Sequence, residues 1–311
     1  MSEKDIASIY QQAKRGVVEL LVDGHLGGSG CFVSRQGLII TAAHVLIHPS
    51  KRIEVQSATV SRRPATIVAT DLGHDLALLK VEPQEQEFPV LRIASEEPKV
   101  GEELYLMGTP AYRHQLIQRG MVAREDATFE YQSHFIEVLQ IAAMVQEGTS
   151  GGPWLNRAGE VVGIQSGAVT VNGQTAGIAN VATRGAIESL VKTQQNAVSA
   201  TIGLFVDEVW ILQADALIRF PAGAEGMIVQ RLDAEGAAMR AGLKQGELIV
   251  EADGRKLRLR DDFLRLLRGK QPGEEILLSV MAPNEPNSRQ VNVTVEKLEA
   301  AWETAVESSS R

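Results

Sequence analysis

Short apolar runs separated by glycine dominate the first part of the chain. Between Val17 and about Val81 these runs are rich in β-branched residues, which predicts strands joined by hairpins. The runs are GVVELLV, GSGCFVS, GLIITAAHV, RIEVQSATV, ATIVATD and LALLKVE. Similar runs continue to Thr183, and the connections are too short to place a helix after every strand. The pattern therefore predicts an antiparallel barrel or sandwich rather than a parallel sheet.

Two segments flanking this region have helical character. One extends from Asp5 to Lys14, and the other extends from Arg184 to Asn196, with apolar residues at helical spacing. After Val191 the segment KTQQNAVSA is small and polar, which predicts a seam between domains. Beyond it, strand, turn and helix signals fill about 100 residues, enough for one small domain.

The chain length agrees with this division. A chain of 311 residues predicts about two domains. We expect a first domain at residues 1–193, a second at residues 200–297 and a C-terminal tail at residues 298–311. Hydrophobic residues make up 44% of the chain and charged residues 23%, which excludes wholesale disorder.

Charge limits the partners to be expected. The chain has 31 Lys and Arg against 39 Asp and Glu, a formal net charge of −8. Nucleic acid and an anionic membrane surface are therefore poor partners. A single cysteine, Cys31, cannot form an internal disulfide, which excludes the disulfide-framed secreted class.

The N-terminal sequence gives an expectation about location. It shows no apolar core followed by a small-residue cleavage site, and no run in the chain approaches the roughly 20 apolar residues that cross a bilayer. The sequence as it stands predicts a cytoplasmic protein, or a periplasmic one if a leader has been removed.

Ser150, in the segment GTSGGP, is the sharpest chemical signal. Residues Gly148 to Gly152 fit the G-x-S-x-G pattern of a hydrolase nucleophile. In an α/β-hydrolase the acid and the histidine follow the serine, but the last histidine, His134, precedes Ser150. The order His, Asp, Ser of the two-barrel chymotrypsin architecture remains open.

His44 and Asp75 are the candidates that complete this order, since each lies beside a strongly apolar strand. A serine hydroxyl is a weak nucleophile, so an imidazole must remove its proton, and a carboxylate must orient that imidazole. The glycines around Ser150 allow the N–H groups of Gly148 and Ser150 to point together at a developing oxyanion. Each such donor contributes roughly 3 to 4 kcal/mol in a comparable protease.

Three motifs together resemble a known family. TAAHVL, HDLALLKV and GTSGGP, in this order, resemble trypsin-like serine proteases of the HtrA (Deg) group. The later segment AAMRAGLKQGELIVEADGRKL resembles a PDZ signature, with TIGLF as its carboxylate-binding loop. The resemblance implies a mainly β protein, a chymotrypsin-like double six-stranded antiparallel β-barrel followed by a small α+β PDZ domain.

The resemblance also implies roles for individual residues. His44 is the general base, Asp75 its orienting acid and Ser150 the nucleophile, while Gly148 and Ser150 form the oxyanion hole. The activity implied is that of an ATP-independent serine endopeptidase that cleaves unfolded or C-terminally exposed polypeptides. No cofactor is expected.

Specificity residues follow from the same resemblance. Met144, Val145 and Gln146 are implicated in the primary specificity pocket, with cleavage favoured after small or medium apolar residues. A trimer formed through the protease domains is also implied.

In the PDZ-like part, the N–H groups of Ile202, Gly203 and Leu204 are expected to receive the carboxylate of a C-terminal peptide. That peptide would add a strand to the sheet edge. Four apolar residues at helical spacing are expected to line its groove: Leu259, Phe263, Leu266 and Leu267.

Two departures from the family pattern support a second hypothesis. Thr149 and Glu147 stand where the family usually has asparagine and proline, and Glu147 places a carboxylate near the mouth of the site. The alternative is a dormant or inactive protease that acts as a PDZ-based binding scaffold. Simple esterase activity is a minor third option.

Two histidine arrangements invite a metal hypothesis. His74 adjoins Asp75, and His44 and His48 are four residues apart. No set of cysteine, histidine and acidic residues completes a tetrahedral site, so a structural or solvated role is favoured and no metal site is expected.

Overall fold

The computed structural model describes residues 5–46, 52–83, 86–131 and 134–299. His48, and residues 300–311 of the expected tail, lie outside the described residues. The chain forms two compact units. The first contains the residues up to Ala127 together with Glu137–Ala197, and the second contains Thr128–Ile136 together with Val198–Leu298.

The first unit begins with a closed barrel of six antiparallel strands in the order β1-β2-β3-β6-β5-β4. The strands are β1 (Val17–Val22), β2 (His25–Phe32), β3 (Leu38–Ala42), β4 (Ile53–Gln56), β5 (Arg63–Asp71) and β6 (Leu76–Val81). Strand β1 is buried throughout, because Val18 packs inside the barrel while Val17 packs in a separate cluster outside it. Burial on both faces explains why its sequence is apolar at every position except Glu19 rather than alternating.

A second closed barrel of six strands follows, in the order β10-β11-β12-β9-β8-β7. The strands are β7 (Glu103–Gly108), β8 (Leu116–Tyr131), β9 (His134–Ala142), β10 (Pro153–Leu155), β11 (Val161–Val171) and β12 (Gln174–Thr183). The expected double six-stranded antiparallel barrel is confirmed.

Two helices complete the first unit, α1 (Ile6–Gly16) and α2 (Arg184–Thr193). Helix α1 begins after Asp5, whose carboxylate accepts the N–H of Ser8 at 2.7 Å. Helix α2 ends three residues before the predicted Asn196. Gln194 adopts a left-handed conformation there, and its N–H bonds to the carbonyl of Leu190.

The second unit is an antiparallel sheet with short helices. The sheet order is β14-β15-β16-β18-β19, with β17 paired to β16, and β13 pairs with β20 separately. The strands are β13 (Ala200–Thr201), β14 (Leu204–Glu208), β15 (Met227–Leu232), β16 (Leu248–Ala252), β17 (Arg255–Lys256), β18 (Glu275–Met281), β19 (Ser288–Thr294) and β20 (Glu296–Lys297). The helices are α3 (Ala214–Leu217), α4 (Ala237–Arg240) and α5 (Arg260–Arg268).

The second unit is not continuous in sequence, because it includes Thr128–Ile136. The hydroxyl of Thr128 donates to the carboxylate of Asp261 at 2.5 Å. Phe135 packs in the hydrophobic core of this unit, with its ring centroid 5.7 Å from that of Phe205. The expected division, with boundaries at 193 and 200, assigns no residue before 193 to the second domain. The structure therefore adds Thr128–Ile136 to that domain.

Candidate active site

His44 and Asp75 meet because the strands beside them are paired. His44 lies on a 3-10 turn (Ala43–Leu46) directly after β3, and Asp75 lies directly before β6. Ala42 at the end of β3 is opposite Leu76 at the start of β6. The His44 Nδ1 is 2.7 Å from Asp75 Oδ2, and the backbone N–H of His44 donates to Asp75 Oδ1 at 2.8 Å.

The Asp75 carboxylate is sheltered and fixed. Its side chain is 3% exposed, and its Oδ2 also accepts a hydrogen bond from the hydroxyl of Ser166 on β11. Because the carboxylate accepts from His44 Nδ1, this nitrogen carries the proton and Nε2 has a lone pair in the neutral ring. Asp75 thus orients the ring as a general base requires.

The same contact sets the protonation of His44. Burial of the imidazole opposes protonation, but the negative charge of Asp75 and its hydrogen bond outweigh burial and raise the pKa of His44 above its ordinary value. The ring is therefore a better proton acceptor than an isolated buried histidine.

Ser150 lies in the connection between β9 and β10, close to the first barrel. Its carbonyl accepts the N–H of Ser29 at 2.7 Å, and its hydroxyl donates to the carbonyl of Ser166 at 3.3 Å. Gly28 permits this approach, since a Cβ there would lie 2.8 Å from the Ser150 carbonyl oxygen. Ser166 therefore contacts both Asp75 and Ser150, whereas the Ser150 hydroxyl makes no hydrogen bond with His44 among the described residues.

The turn before Ser150 requires glycine at position 148. Gly148 has φ +90°, and a Cβ there would lie 2.2 Å from the carbonyl oxygen of Thr109. The carbonyl of Glu147 accepts the N–H of Ala111 at 2.7 Å. In a planar trans peptide the carbonyl and the next N–H point in opposite directions, so the Gly148 N–H faces away from Ala111.

The two predicted oxyanion donors are both available. Within the described part of the chain, neither the Gly148 N–H nor the Ser150 N–H donates to another protein group. The exposed Glu147 side chain does not prevent this turn, because the backbone carbonyl of that residue makes the fixing bond.

Sequence reasoning missed two buried hydroxyls behind the turn. Ser29 Oγ donates to the carbonyl of Gly148 at 2.9 Å and lies 2.7 Å from Thr109 Oγ1. Thr109 Oγ1 in turn donates to the same carbonyl at 3.2 Å. Ser166, which the sequence reasoning also missed, lies like Ser29 on a mostly buried stretch of a strand. A hydroxyl residue inside an apolar strand is the sequence signal that could have identified both, because a buried hydroxyl needs a hydrogen-bond partner.

The three predicted specificity residues lie in different environments. Met144 is 57% exposed, and Gln146 is exposed, with its side-chain oxygen accepting from Gln118 at 3.0 Å. Val145 packs in the core of the second barrel. Met144 and Gln146 are therefore the two that present side chains at the surface.

The predicted carboxylate loop of the second unit is largely buried. Ile202 is fully buried, and Leu204 opens β14 opposite Leu232. Gly203 has φ +67°, and its N–H already donates to the Thr201 hydroxyl at 3.1 Å. The Gly203 N–H, one of the three expected carboxylate donors, is therefore already satisfied by Thr201 two residues earlier.

The expected groove lining on α5 also needs correction. Phe263 and Leu267 fill the core of the second unit rather than lining an open groove, because the apolar face of α5 packs inward. Leu266 is partly buried against the same core, and Leu259 precedes the helix and is half exposed.

Comparison with known proteins adds to this geometry. A trypsin-like peptidase domain matches residues 28–164, and a PDZ domain matches residues 206–296. A "Probable periplasmic serine endoprotease DegP-like" of Ectopseudomonas mendocina is 29% identical over 292 residues, covering 91% of this chain and 59% of that protein. The human "Serine protease HTRA3" is 30% identical over 247 residues, covering 74% of this chain and 53% of that protein.

One solved structure is similar in fold over most of this chain. The structure "HtrA-type protease AlgW with tripeptide" has a TM-score of 0.65 and 21% identity, covering 95% of this chain and 98% of that one. The fold and the site define a trypsin-like peptidase domain followed by one PDZ domain. The chain belongs to the HtrA family. It spans little more than half the length of the curated relatives it matches.

None of the helices in the described ranges has the length and apolar character needed to span a membrane.

Proposed function

We propose that this chain is a serine endopeptidase whose triad is His44, Asp75 and Ser150. The observation that carries the proposal is the 2.7 Å bond between His44 Nδ1 and Asp75 Oδ2, beside a serine that Ser166 links to the same carboxylate. In this proposal the three residues, far apart in sequence, supply the nucleophile, the base and the orienting acid that acyl transfer requires.

The reaction proceeds in two halves. The Ser150 oxygen attacks the peptide carbonyl while His44 Nε2 takes its proton, and His44 then gives this proton to the leaving amine. A water molecule, deprotonated by His44, attacks the acyl-enzyme ester and regenerates the Ser150 hydroxyl. Asp75 stabilises the imidazolium in both halves and is not itself protonated.

The backbone stabilises the charge that develops on the carbonyl oxygen. The N–H groups of Gly148 and Ser150 would each donate to this oxygen, since both are available. Removal of one such donor lowers kcat by about 10²- to 10³-fold in a comparable protease.

The substrates we propose are unfolded or C-terminally exposed polypeptides, cleaved without ATP. Met144 and Gln146 lie at the surface beside the Ser150 turn, and we propose cleavage after small or medium apolar residues. The names of the bacterial relatives support both an endoprotease activity and a periplasmic location for this chain rather than the cytoplasmic one.

Casein cleavage tests the proposal directly. The Ser150→Ala variant should lose cleavage and labelling by a fluorophosphonate probe. Ser95→Ala, which removes an exposed serine elsewhere in the same unit, should keep both. Persistent cleavage by the Ser150→Ala variant would reject the proposal. Absence of labelling in the parent chain, with peptide ligands present, would favour the scaffold alternative.

We also propose that the second unit binds C-terminal peptides. Strand β14 is terminal in the sheet order of the described residues, which suits addition of a peptide strand. The backbone from Ile202 to Leu204 would receive the carboxylate, with Ile202 and Leu204 as the donors since Gly203 is engaged. Fluorescence polarisation with a peptide and its C-terminally amidated form tests this, and equal affinity for the two would refute it.

The trimer implied by the family is tested by analytical ultracentrifugation.

A further inference from the structure

An imidazole lies between two carboxylates one residue before Asp75. The His74 Nδ1 is 2.9 Å from Asp71 Oδ2, and its Nε2 is 3.4 Å from Glu137 Oε2. Asp71 ends β5 of the first barrel, whereas Glu137 lies on β9 of the second. The ring thus joins the two barrels of the first unit at the turn that carries Asp75.

Hydrogen bonds of the backbone also hold this turn in place, some of them through the same two acidic residues. The His74 N–H donates to Asp71 Oδ1 at 3.2 Å, and the Asp75 N–H donates to the carbonyl of Leu72 at 3.4 Å. From the second barrel, the Glu137 N–H donates to the carbonyl of Gly73 at 2.9 Å. Glu137 therefore holds the turn twice, once through its backbone and once through its carboxylate.

The charges around the ring favour its protonated form. Burial opposes protonation, but the hydrogen bonds and charges of Asp71 and Glu137 outweigh burial and raise the pKa of His74 to about 9. Those two carboxylates, from β5 and β9, face the ring. The Asp75 carboxylate is turned instead toward His44 and Ser166. At neutral pH both ring nitrogens of His74 thus donate.

Asp75 needs such support because its backbone is in a sparsely populated conformation. Its φ is +55°, in the left-handed region, and such residues persist only where their surroundings fix them. The carboxylate must also stay within hydrogen-bond reach of His44. A displacement of about 1 Å can cost about 10²-fold in rate.

We propose that His74 is a positioning residue for the peptidase reaction, holding the Asp75 turn against β9 by bridging Asp71 and Glu137. This inference rests on the proposed function. Asp75 lies behind His44, so loss of the bridge affects proton transfer more than substrate binding.

Steady-state kinetics on the full chain with a peptide substrate test the proposal. For His74→Gln, which keeps a polar side chain but cannot carry charge, kcat should fall about 10- to 100-fold while KM stays nearly constant. The control is His25→Ala, which removes an exposed histidine of β2 and should leave both constants unchanged. An unchanged kcat in His74→Gln, or an effect confined to KM, would overturn the proposal.

The pH profile separates positioning from a general structural role. In the parent, kcat should fall as the pH rises through about 9, because His74 loses its proton and one donor. Glu137→Gln removes one of the charges that raise this pKa, so the fall should move to lower pH. In His74→Gln the fall near pH 9 should be absent. An alkaline fall in the same place in all three proteins would assign it to another group and refute the proposal.

Fluorophosphonate labelling distinguishes failure of this inference from failure of the proposed function. If the parent neither labels nor cleaves, the peptidase assignment fails. If the parent is active and His74→Gln is equally active across the pH range, the peptidase assignment stands and the positioning role is refuted. If His74→Gln does not fold, the shift expected for Glu137→Gln decides the matter.

Discussion

The pH dependence of unfolding gives a test of the His74 bridge that does not require activity. The perturbation is the removal of the titrating ring by His74→Gln in a Ser150→Ala background, which prevents self-digestion. The pKa of His74 is raised in the folded state from 6.5 to about 9. The stability contributed by the ring is therefore fully present below about pH 6.5 and is lost as the pH rises through about 9.

The magnitude follows from this difference in pKa. A shift from 6.5 to about 9, at about 1.4 kcal/mol per pKa unit, corresponds to about 3 kcal/mol. This is an upper figure, because 26% of the His74 side chain remains exposed to water.

Urea unfolding near pH 6 and near pH 10, on either side of the titration, provides the assay. The fluorescence of the buried Trp154 reports on the unit that contains His74. The difference in the free energy of unfolding between the Ser150→Ala protein and the same protein carrying His74→Gln should decrease by up to about 3 kcal/mol from the lower pH to the higher one. A difference that is the same at both pH values would show that the ring does not exchange its proton as described and would refute the reasoning.

Two further substitutions test other parts of the structure. Gly148→Ala should lower kcat by about 10²- to 10³-fold, because a Cβ would meet the Thr109 carbonyl and displace one oxyanion donor; active-site titration would check this, and full activity would contradict it. Phe135→Ala should destabilise the second unit by about 3–5 kcal/mol, since the ring is buried in its core; urea unfolding of the second unit would measure this, and an unchanged midpoint would show that the ring contributes no stability there.

The double barrel was predictable because its strand signals lie within short segments. The contact between His44 and Asp75 depends on the pairing of β3 with β6, which the resemblance of the two motifs implies and no single run reveals. The glycines around Ser150, by contrast, mark their turn in the sequence itself. For that turn a short motif contains the physical reason for the geometry.

Other features depend on contacts between distant segments, and no local pattern reveals them. The sequence beside Asp75 does not indicate the partners of His74, whose two ring nitrogens contact Asp71 and, from a distant strand, Glu137. Phe135 lies in an apolar run that predicts a strand, but nothing in that run indicates that it completes the core of the second unit. Such placements depend on tertiary packing rather than on propensity.

The orientation of the peptide group between Glu147 and Gly148 decides which of its two polar atoms faces the proposed oxyanion. The carbonyl of this plane is held by the Ala111 N–H, and one such hydrogen bond contributes only about 1 kcal/mol net. If the plane turned over, a carbonyl lone pair would replace the Gly148 N–H and repel the negative charge that forms on a substrate. The proposed activity thus depends on which way this single peptide group points, since the reversed amide would lack one of the two oxyanion donors.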